Sequence, residues 1–154
     1  MRIVIGSDHA GLELKSVAAS WISNWGHEVL DAGAYEFDRD DDYPDFAEAT
    51  AMAIKENRAD RGILLCGSGV GASITANKIP GIRAAMCHDN YSAHQGVEHD
   101  DMNVLCIGAR IVGIELAKEL INTFIEARFT GEPRHVRRIA KISAIEAKQK
   151  YNGN

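Results

Sequence analysis

The sequence predicts one α/β domain over residues 1–154, with a five-stranded parallel sheet and helices on both of its faces. Short, continuously apolar segments alternate with longer amphipathic ones, which is typical of parallel strands that helices cover. Of the 154 residues 45% are hydrophobic, and no tract is of low complexity, so the chain can bury one sizeable core.

The strands are predicted from short runs of apolar residues. In chain order, the expected strands are residues 3–5, 28–30, 62–65, 83–87 and 103–107. Gly6 ends the first of these runs. Since the runs are mainly apolar and do not alternate with polar residues, both faces of the sheet should be buried.

The helices are predicted from apolar residues that recur every three or four positions. In chain order, the expected helices are about 14–25, 44–54, 73–78, 90–97, 112–127 and 135–148. The first contains Val17, Trp21 and Trp25 at a spacing of four residues. Pro44 suits the first turn of the second helix, and Pro80 stops the third.

Polar residues collect where four of the predicted strands end. They are Ser7–His9, Cys66–Ser68, His88–Asp89 and Gly108–Arg110. Ligands of parallel sheets bind beyond the carboxyl ends of the strands, near the point where the strand order reverses. Four polar clusters at one edge therefore predict a single site.

The segment Cys66–Gly71 is the most informative of these. Three glycines follow the cysteine within five positions, and a helix-like run begins near Ala72. Unobstructed backbone N–H groups at the start of a helix favour a bound anion, and a thiol there is favoured as thiolate. The structural alternative is an ordinary strand-to-helix turn with a buried cysteine.

Two pairs of histidine and aspartate are further candidates. Asp8 and His9 offer a carboxylate acceptor beside an imidazole, although Asp8 alternatively caps a helix that begins near Leu12. His99 precedes Asp100 and comes just before the fifth strand. Histidine is the side chain best suited to proton transfer near neutral pH.

Arg134 and Arg138 are four residues apart, so on a helix they lie on one face as a fork for phosphate. The structural alternative is a solvated basic turn. The acidity of the rest of the chain favours the phosphate site. Glu13 and the acidic run 38–42 are interpreted as solubilising charge.

Composition excludes several classes of function. The net charge is −5 and no run of Lys or Arg occurs, so neither nucleic acid nor an acidic membrane surface is an expected partner. No apolar stretch approaches the roughly 20 residues of a membrane span, and the N-terminus lacks the pattern of a signal peptide.

The three widely spaced cysteines indicate reduced thiols of a cytoplasmic protein. His94 and His99, five apart, are poor metal ligands on a helix, so no metal is expected.

Several motifs follow one another in order over roughly residues 3–146. They are Gly6–Gly11, Cys66–Gly71, Ala76–Lys78, Gly81–Ala85, Tyr91–Ala93, Asn103–Leu105 and Arg134–His135. Together they resemble the ribose-5-phosphate isomerase B family, which includes relatives acting on allose 6-phosphate and galactose 6-phosphate. The resemblance implies a Rossmann-like fold, no metal or organic cofactor, and a homodimer or dimer of dimers with active sites shared between subunits. The helix at about 135–148 is expected to pack on or near the partner.

The resemblance also implies the reaction, which interconverts ribose 5-phosphate and ribulose 5-phosphate through a cis-enediolate. Cys66 would move the proton between C1 and C2, Ser68 would assist proton movement on the hydroxyls, and His99 of the partner subunit would open the furanose ring. The phosphate would be bound by His9, Arg134 and Arg138. The other expected substrate contacts are Asp8, Tyr43, Gly67, Gly69, Val70, Gly71, Asp100 and Arg110.

Two positions depart from the family pattern and bear on the choice of sugar. Asp100 stands where Asn is usual, and Pro133 lies in a segment that commonly has two glycines. One alternative is therefore an isomerase of another four- to six-carbon sugar phosphate. Another is a non-catalytic domain that senses phosphate or a nucleotide. The glycine loop is not Gly-x-Gly-x-x-Gly, which disfavours a dinucleotide site.

Overall fold

The computed structural model describes residues 1–151, and their side chains up to residue 148. Strands and helices alternate along these residues. The strands are β1 (Arg2–Ser7), β2 (Glu28–Asp31), β3 (Arg61–Cys66), β4 (Ala84–Met86) and β5 (Val104–Gly108). The helices are α1 (Leu12–Asn24), α2 (Tyr43–Lys55), α3 (Val70–Ala76), α4 (Asn90–Asp100), α5 (Ile114–Glu126) and α6 (Pro133–Tyr151). The α/β prediction is confirmed.

The five strands form one parallel sheet in the order β2-β1-β3-β5-β4. The strand order reverses between β1 and β3, because β2 lies on one side of β1 and the rest of the sheet on the other. Ser7 of β1 pairs with Leu65, and Cys66 of β3 pairs with Gly108. The ends of β1, β3 and β5 therefore meet at the reversal, where parallel sheets bind ligands.

Side chains of each inner strand enter two separate hydrophobic layers. Ile63 and Leu65 pack on one face with residues of α1, α4 and α5, whereas Leu64 and Cys66 pack on the other with residues of α2 and α3. Burial of a Leu or Ile side chain stabilises the fold by about 1.5–3 kcal/mol. The layers therefore explain why the strands are apolar at successive positions.

Gly11 lets α1 begin directly against the end of β3. A Cβ atom at this position would lie 2.1 Å from the carbonyl oxygen of Leu65, a contact that the backbone cannot relieve by a rotamer change. The turn that carries Asp8 and His9 is held against β3 for this reason. The distance between the turn with Asp8 and His9 and the end of β3 at Cys66 thus depends on one glycine.

Several element boundaries differ from the sequence predictions. Helix α3 begins at Val70, earlier than expected, because Gly69 adopts a φ of +85° and turns the chain into the helix. Helix α4 continues to Asp100 and ends where Asp101 adopts a φ of +50°. His99 and Asp100 are therefore part of a helix and do not follow it.

Helix α6 packs mainly against α4 and leaves much of its apolar surface uncovered. Val136, Ile142 and Ile145 are 49%, 47% and 61% exposed. Glu146 also links this helix to the fold, because it accepts a hydrogen bond from the Gly81 N–H at 2.9 Å. Within residues 1–151, no helix combines the length and the apolar character that crossing a membrane requires.

Candidate active site

A cavity of about 340 Å³ lies at the carboxyl ends of the strands, beside the reversal of strand order. It is lined by Asp8, Tyr43, Cys66, Gly67, Ser68, Gly71, Arg110 and Ile111. Every one of these except Ile111 was a site residue predicted from the sequence. The clusters after β1, β3 and β5 therefore come together as the sequence analysis predicted.

Cys66 is the thiol that borders this cavity. Its side chain is nearly buried, and the N–H of Gly69 donates a hydrogen bond to Sγ at 3.1 Å. The backbone of the glycine loop therefore contacts the sulfur directly. Burial raises the pKa of Cys87 to about 11 and also raises that of Cys106, so these two thiols stay protonated at neutral pH.

The glycine loop places Ser68 and Tyr43 at the cavity. Ser68 is exposed, and its Oγ accepts a hydrogen bond from the Val70 N–H at 3.3 Å. Gly71 lies against the ring of Tyr43, where a Cβ atom would approach Cζ to 2.6 Å. Glycine at this position therefore lets the phenol lie close to the loop.

The segment after β5 is joined to the loop by backbone hydrogen bonds. The Ala109 N–H donates to the Cys66 carbonyl oxygen at 2.7 Å, and the Arg110 N–H donates to that of Gly67 at 3.1 Å. These bonds bring the exposed Arg110 side chain beside Gly67, so the segment after β5 contributes a cation to the cavity.

Asp8 is largely buried, and one of its two carboxylate oxygens already accepts hydrogen bonds. Its Oδ1 accepts hydrogen bonds from the N–H groups of Ala10 and Gly11 at 3.0 and 3.1 Å. These donors precede α1, whose N-cap is Gly11 and has no side-chain capping bond. Asp8 is therefore not the N-cap of α1, although its Oδ1 holds the turn that leads into this helix, and the carboxylate borders the cavity.

His9 lies beside a second, larger cavity of about 730 Å³. Its Nδ1 is 2.6 Å from Oδ1 of Asp41, whose side chain is only 8% exposed. The interpretation of the acidic run 38–42 as solubilising charge is therefore wrong for Asp41. No local sequence signal separates this aspartate from its exposed neighbours, because its burial depends on a contact across 32 residues.

His99 lies in the last turn of α4 and contacts three side chains, one of which is Glu98, whose Oε2 lies 3.7 Å from the His99 Nε2. The amide nitrogen of Gln95 lies 2.8 Å from its Nδ1, and the His135 ring stacks on it at a centroid distance of 4.1 Å. With that nitrogen as donor, the His99 proton lies on Nε2. Gln95 was not among the site residues predicted from the sequence, although residues 95 and 99 have the helical spacing of four.

His135 is almost completely buried at the start of α6. Its Nδ1 lies 3.0 Å from Oγ1 of Thr130, which itself donates to the Glu98 carbonyl oxygen at 3.1 Å. Burial lowers the pKa of His135, and the nearby His99 and Arg134 lower it further. A neutral His135 is therefore favoured beside His99.

Arg134 and Arg138 lie in the first turns of α6, on either side of His135. Both are exposed, and the Arg134 Nε is 2.9 Å from Oε2 of Glu132. Their spacing of four places them on one face of the helix, as the sequence predicts. The two arginines flank His135, whose ring stacks on His99, and neither of them lines the Cys66 cavity.

Within one chain, His99 lies near the amino ends of the strands, whereas Cys66 lies at their carboxyl ends. Arg83, just before β4, donates to the Asp100 carbonyl oxygen at 3.2 Å, which places the end of α4 at the amino ends of the strands. Cys66 is at the other edge, since it pairs with Gly108, the last residue of β5. A five-residue strand spans about 13 Å.

The fourth predicted cluster stabilises the backbone. Nε2 of His88 accepts a hydrogen bond from the Gly108 N–H at 3.0 Å, and Asp89 caps α4 by accepting from the Ser92 N–H at 2.7 Å. The hydrogen bonds from Ser92 lower the pKa of Asp89. Neither His88 nor Asp89 lines the cavity. Among the side chains that the structure describes, no three His, Cys, Asp or Glu residues are grouped to hold a metal ion.

Comparisons with known proteins agree on one family. Residues 3–142 match the family model described as Ribose/Galactose Isomerase. The chain is 43% identical to ribose-5-phosphate isomerase B of Escherichia coli (strain K12), over 96% of this chain and 98% of the relative. It is 40% identical to D-erythrulose-4-phosphate isomerase of Pectobacterium atrosepticum, over 98% and 99%. The structure of Clostridium thermocellum ribose-5-phosphate isomerase B superposes with a TM-score of 0.93 at 46% identity, covering 97% of this chain and 99% of that one.

Proposed function

Because the chain belongs to the ribose/galactose isomerase family and is a sugar-phosphate isomerase, we propose that it interconverts ribose 5-phosphate and ribulose 5-phosphate. The observation that carries the proposal is Cys66, a thiol that borders the cavity and accepts a hydrogen bond from the Gly69 N–H. A base beside preorganised donors is what proton removal next to a carbonyl requires. The relatives named ribose-5-phosphate isomerase B support the substrate.

The proposed reaction moves one proton between neighbouring carbons. The Cys66 thiolate takes the proton from C2 of the open-chain aldose, and the electron pair of that C–H bond forms the C1–C2 double bond while O1 gains negative charge. The thiol then returns a proton to C1 as the O2–H proton leaves and the C2 carbonyl forms. Ser68 carries the proton between O2 and O1, since its exposed hydroxyl both donates and accepts.

The enediolate is stabilised by backbone N–H groups of the loop Gly67–Gly71 other than those of Gly69 and Val70, which donate to Cys66 Sγ and Ser68 Oγ. Such donors act without reorganisation when charge develops, and loss of one costs roughly 10²–10³ in kcat in other enzymes. Asp8 accepts a hydrogen bond from a sugar hydroxyl through Oδ2, and Tyr43 contacts the sugar from the other wall of the cavity. Arg110 supplies positive charge near the developing oxyanion.

We propose that each active site combines two subunits of a homodimer, which can pair further into a tetramer. Opening of the furanose ring needs an acid, and His99 lies at the opposite edge of its own chain from Cys66. The partner subunit's His99 would supply that acid, and the partner's Arg134 and Arg138 would bind phosphate together with His9. The uncovered apolar surface of α6 supports burial against a second copy.

We place the enzyme in the cytoplasm, since its cysteines are free thiols.

A second candidate substrate is a tetrose or hexose phosphate. Asp100 adjoins His99 on α4, and a carboxylate there changes which sugar hydroxyl is accepted as a hydrogen-bond donor. The D-erythrulose-4-phosphate isomerase relative, matched over almost its whole length, supports this alternative.

A substrate panel tests the proposal. The purified protein is assayed for kcat/KM with ribose 5-phosphate, D-erythrulose 4-phosphate, allose 6-phosphate and galactose 6-phosphate. We expect ribose 5-phosphate to exceed each of the others by at least about tenfold, which corresponds to about 1.4 kcal/mol of transition-state binding. A higher kcat/KM for another sugar phosphate would reassign the substrate. No turnover of any of them would overturn the proposal.

A further inference from the structure

We propose that Asp41 is a positioning residue for His9, holding the imidazole so that Nε2 faces the phosphate of the substrate. This inference rests on the proposed function, in which His9 contacts the phosphate. It assigns a role to one member of an acidic run whose composition suggests only solubility.

The first support is the geometry of the pair. Asp41 Oδ1 and His9 Nδ1 are 2.6 Å apart. An ionised carboxylate only accepts hydrogen bonds, so Nδ1 carries the proton that is shared with Asp41. Nε2 is then the ring atom left for a ligand, and His9 lines the larger cavity.

The second support is the burial of Asp41. Its side chain is 8% exposed, and Oδ2 is buried with no hydrogen-bond partner among the described residues. Removing a carboxylate from water is unfavourable, and a single hydrogen bond compensates only part of that cost. Aspartate is therefore a poor choice here for solubility or stability, whereas an oriented imidazole gives it a use.

The aromatic neighbour of His9 limits the ring further. Phe37 meets the imidazole edge-on at a centroid distance of 5.9 Å. The imidazole is thus hydrogen-bonded at Nδ1 to the carboxylate and packed against the phenyl ring of Phe37. A preorganised ring loses little entropy when it binds phosphate, which lowers KM without contributing to the proton transfer at Cys66.

Other charged groups face the same cavity. They are Glu13 and Lys15 from α1 and Asp31 at the end of β2. Lys15 is already engaged, because its Nζ donates to Asp31 Oδ1 and to the Ala34 carbonyl oxygen, each at 2.6 Å. None of these groups contacts His9, so Asp41 is the partner that sets the ring.

The experiment compares Asp41→Ala, Asp41→Asn and the neighbouring control Asp40→Ala. We expect Asp41→Ala to raise KM for ribose 5-phosphate about tenfold with kcat within about twofold, the loss of roughly one charged hydrogen bond. Asp41→Asn keeps an oxygen that accepts from Nδ1 and should restore KM to within about threefold of the parent. Asp40 is exposed, and its replacement should leave KM unchanged.

A double substitution separates positioning from a general loss of stability. If Asp41 acts through His9, adding Asp41→Ala to His9→Ala should raise KM no further. An unchanged KM in Asp41→Ala, an Asp41→Asn variant as impaired as Asp41→Ala, or additive effects in the double variant would each overturn the inference.

A readout without turnover keeps this inference distinct from the proposed function. The nitrogen NMR signals of the His9 ring should report the Nδ1–H tautomer in the parent and a mixture of tautomers in Asp41→Ala. Inorganic phosphate should shift the Nε2 signal of the parent and bind Asp41→Ala about tenfold more weakly. If ribose 5-phosphate is not turned over, these signals still decide the role of Asp41. Identical ring signals in the parent and in Asp41→Ala would overturn it.

Discussion

Replacing Cys66 by alanine should lower kcat for ribose 5-phosphate by about 10³-fold or more, since a positioned base contributes roughly 10²–10⁴. The affinity for the sugar phosphate should change less than about threefold, because the groups that we propose to bind phosphate lie apart from the sulfur. Steady-state kinetics give kcat, and calorimetry with ribose 5-phosphate gives the affinity of the variant. The side chain is small and borders a cavity, so its removal should leave the fold intact.

Cys87→Ala is the matched control. Cys87 is also buried, its pKa is raised to about 11, and it lies outside the cavity lining. Its substitution should reduce thermal stability and leave kcat within about threefold. Retention of more than about a tenth of the parent kcat in Cys66→Ala would remove Cys66 from the role of base.

Mixing two inactive variants should restore activity if each site combines two subunits. Each proposed site takes Cys66 from one subunit and His99 from the other. A heterodimer of Cys66→Ala and His99→Ala therefore contains one site with both changes and one site with neither. When the variants are denatured together, refolded and allowed to pair at random, about a quarter of the parental activity should return. The measurement is turnover of ribose 5-phosphate before and after mixing.

The control mixture combines Cys66→Ala with Asp8→Ala. Both residues lie at the same cavity of one chain, so every heterodimeric site keeps one of the two changes. This mixture should stay inactive. If the Cys66→Ala and His99→Ala mixture also stays inactive after both variants are shown to form dimers, the shared site is wrong.

The sheet and the position of the cavity were predictable from the sequence for a physical reason. Parallel strands buried on both faces must be apolar at successive positions, and Ile63 and Leu64 enter opposite layers in this way. The carboxyl ends of parallel strands also share one edge. Polar residues just after β1, β3 and β5 were therefore bound to come close together.

Contacts made across loops were not predictable in the same way. Asp41 resembles its acidic neighbours until the loop folds back onto His9. The stacking of His135 on His99 depends on the docking of α6 against α4, which no local pattern specifies. Gln95 was within reach of the sequence, but the helix was predicted to end at residue 97, two residues before its partner.

Deuterium from the solvent can show whether Cys66 moves a proton between C1 and C2 of ribose 5-phosphate. The purified enzyme is incubated with ribose 5-phosphate in D₂O, and the ribulose 5-phosphate formed is observed by proton NMR. A thiol that exchanges its proton with solvent during the reaction should place deuterium at C1 of the ketose in the parent, with no product from Cys66→Ala in the same time. Absence of ribulose 5-phosphate, or ketose whose C1 retains only protium as in a hydride shift, would rule out this role for Cys66.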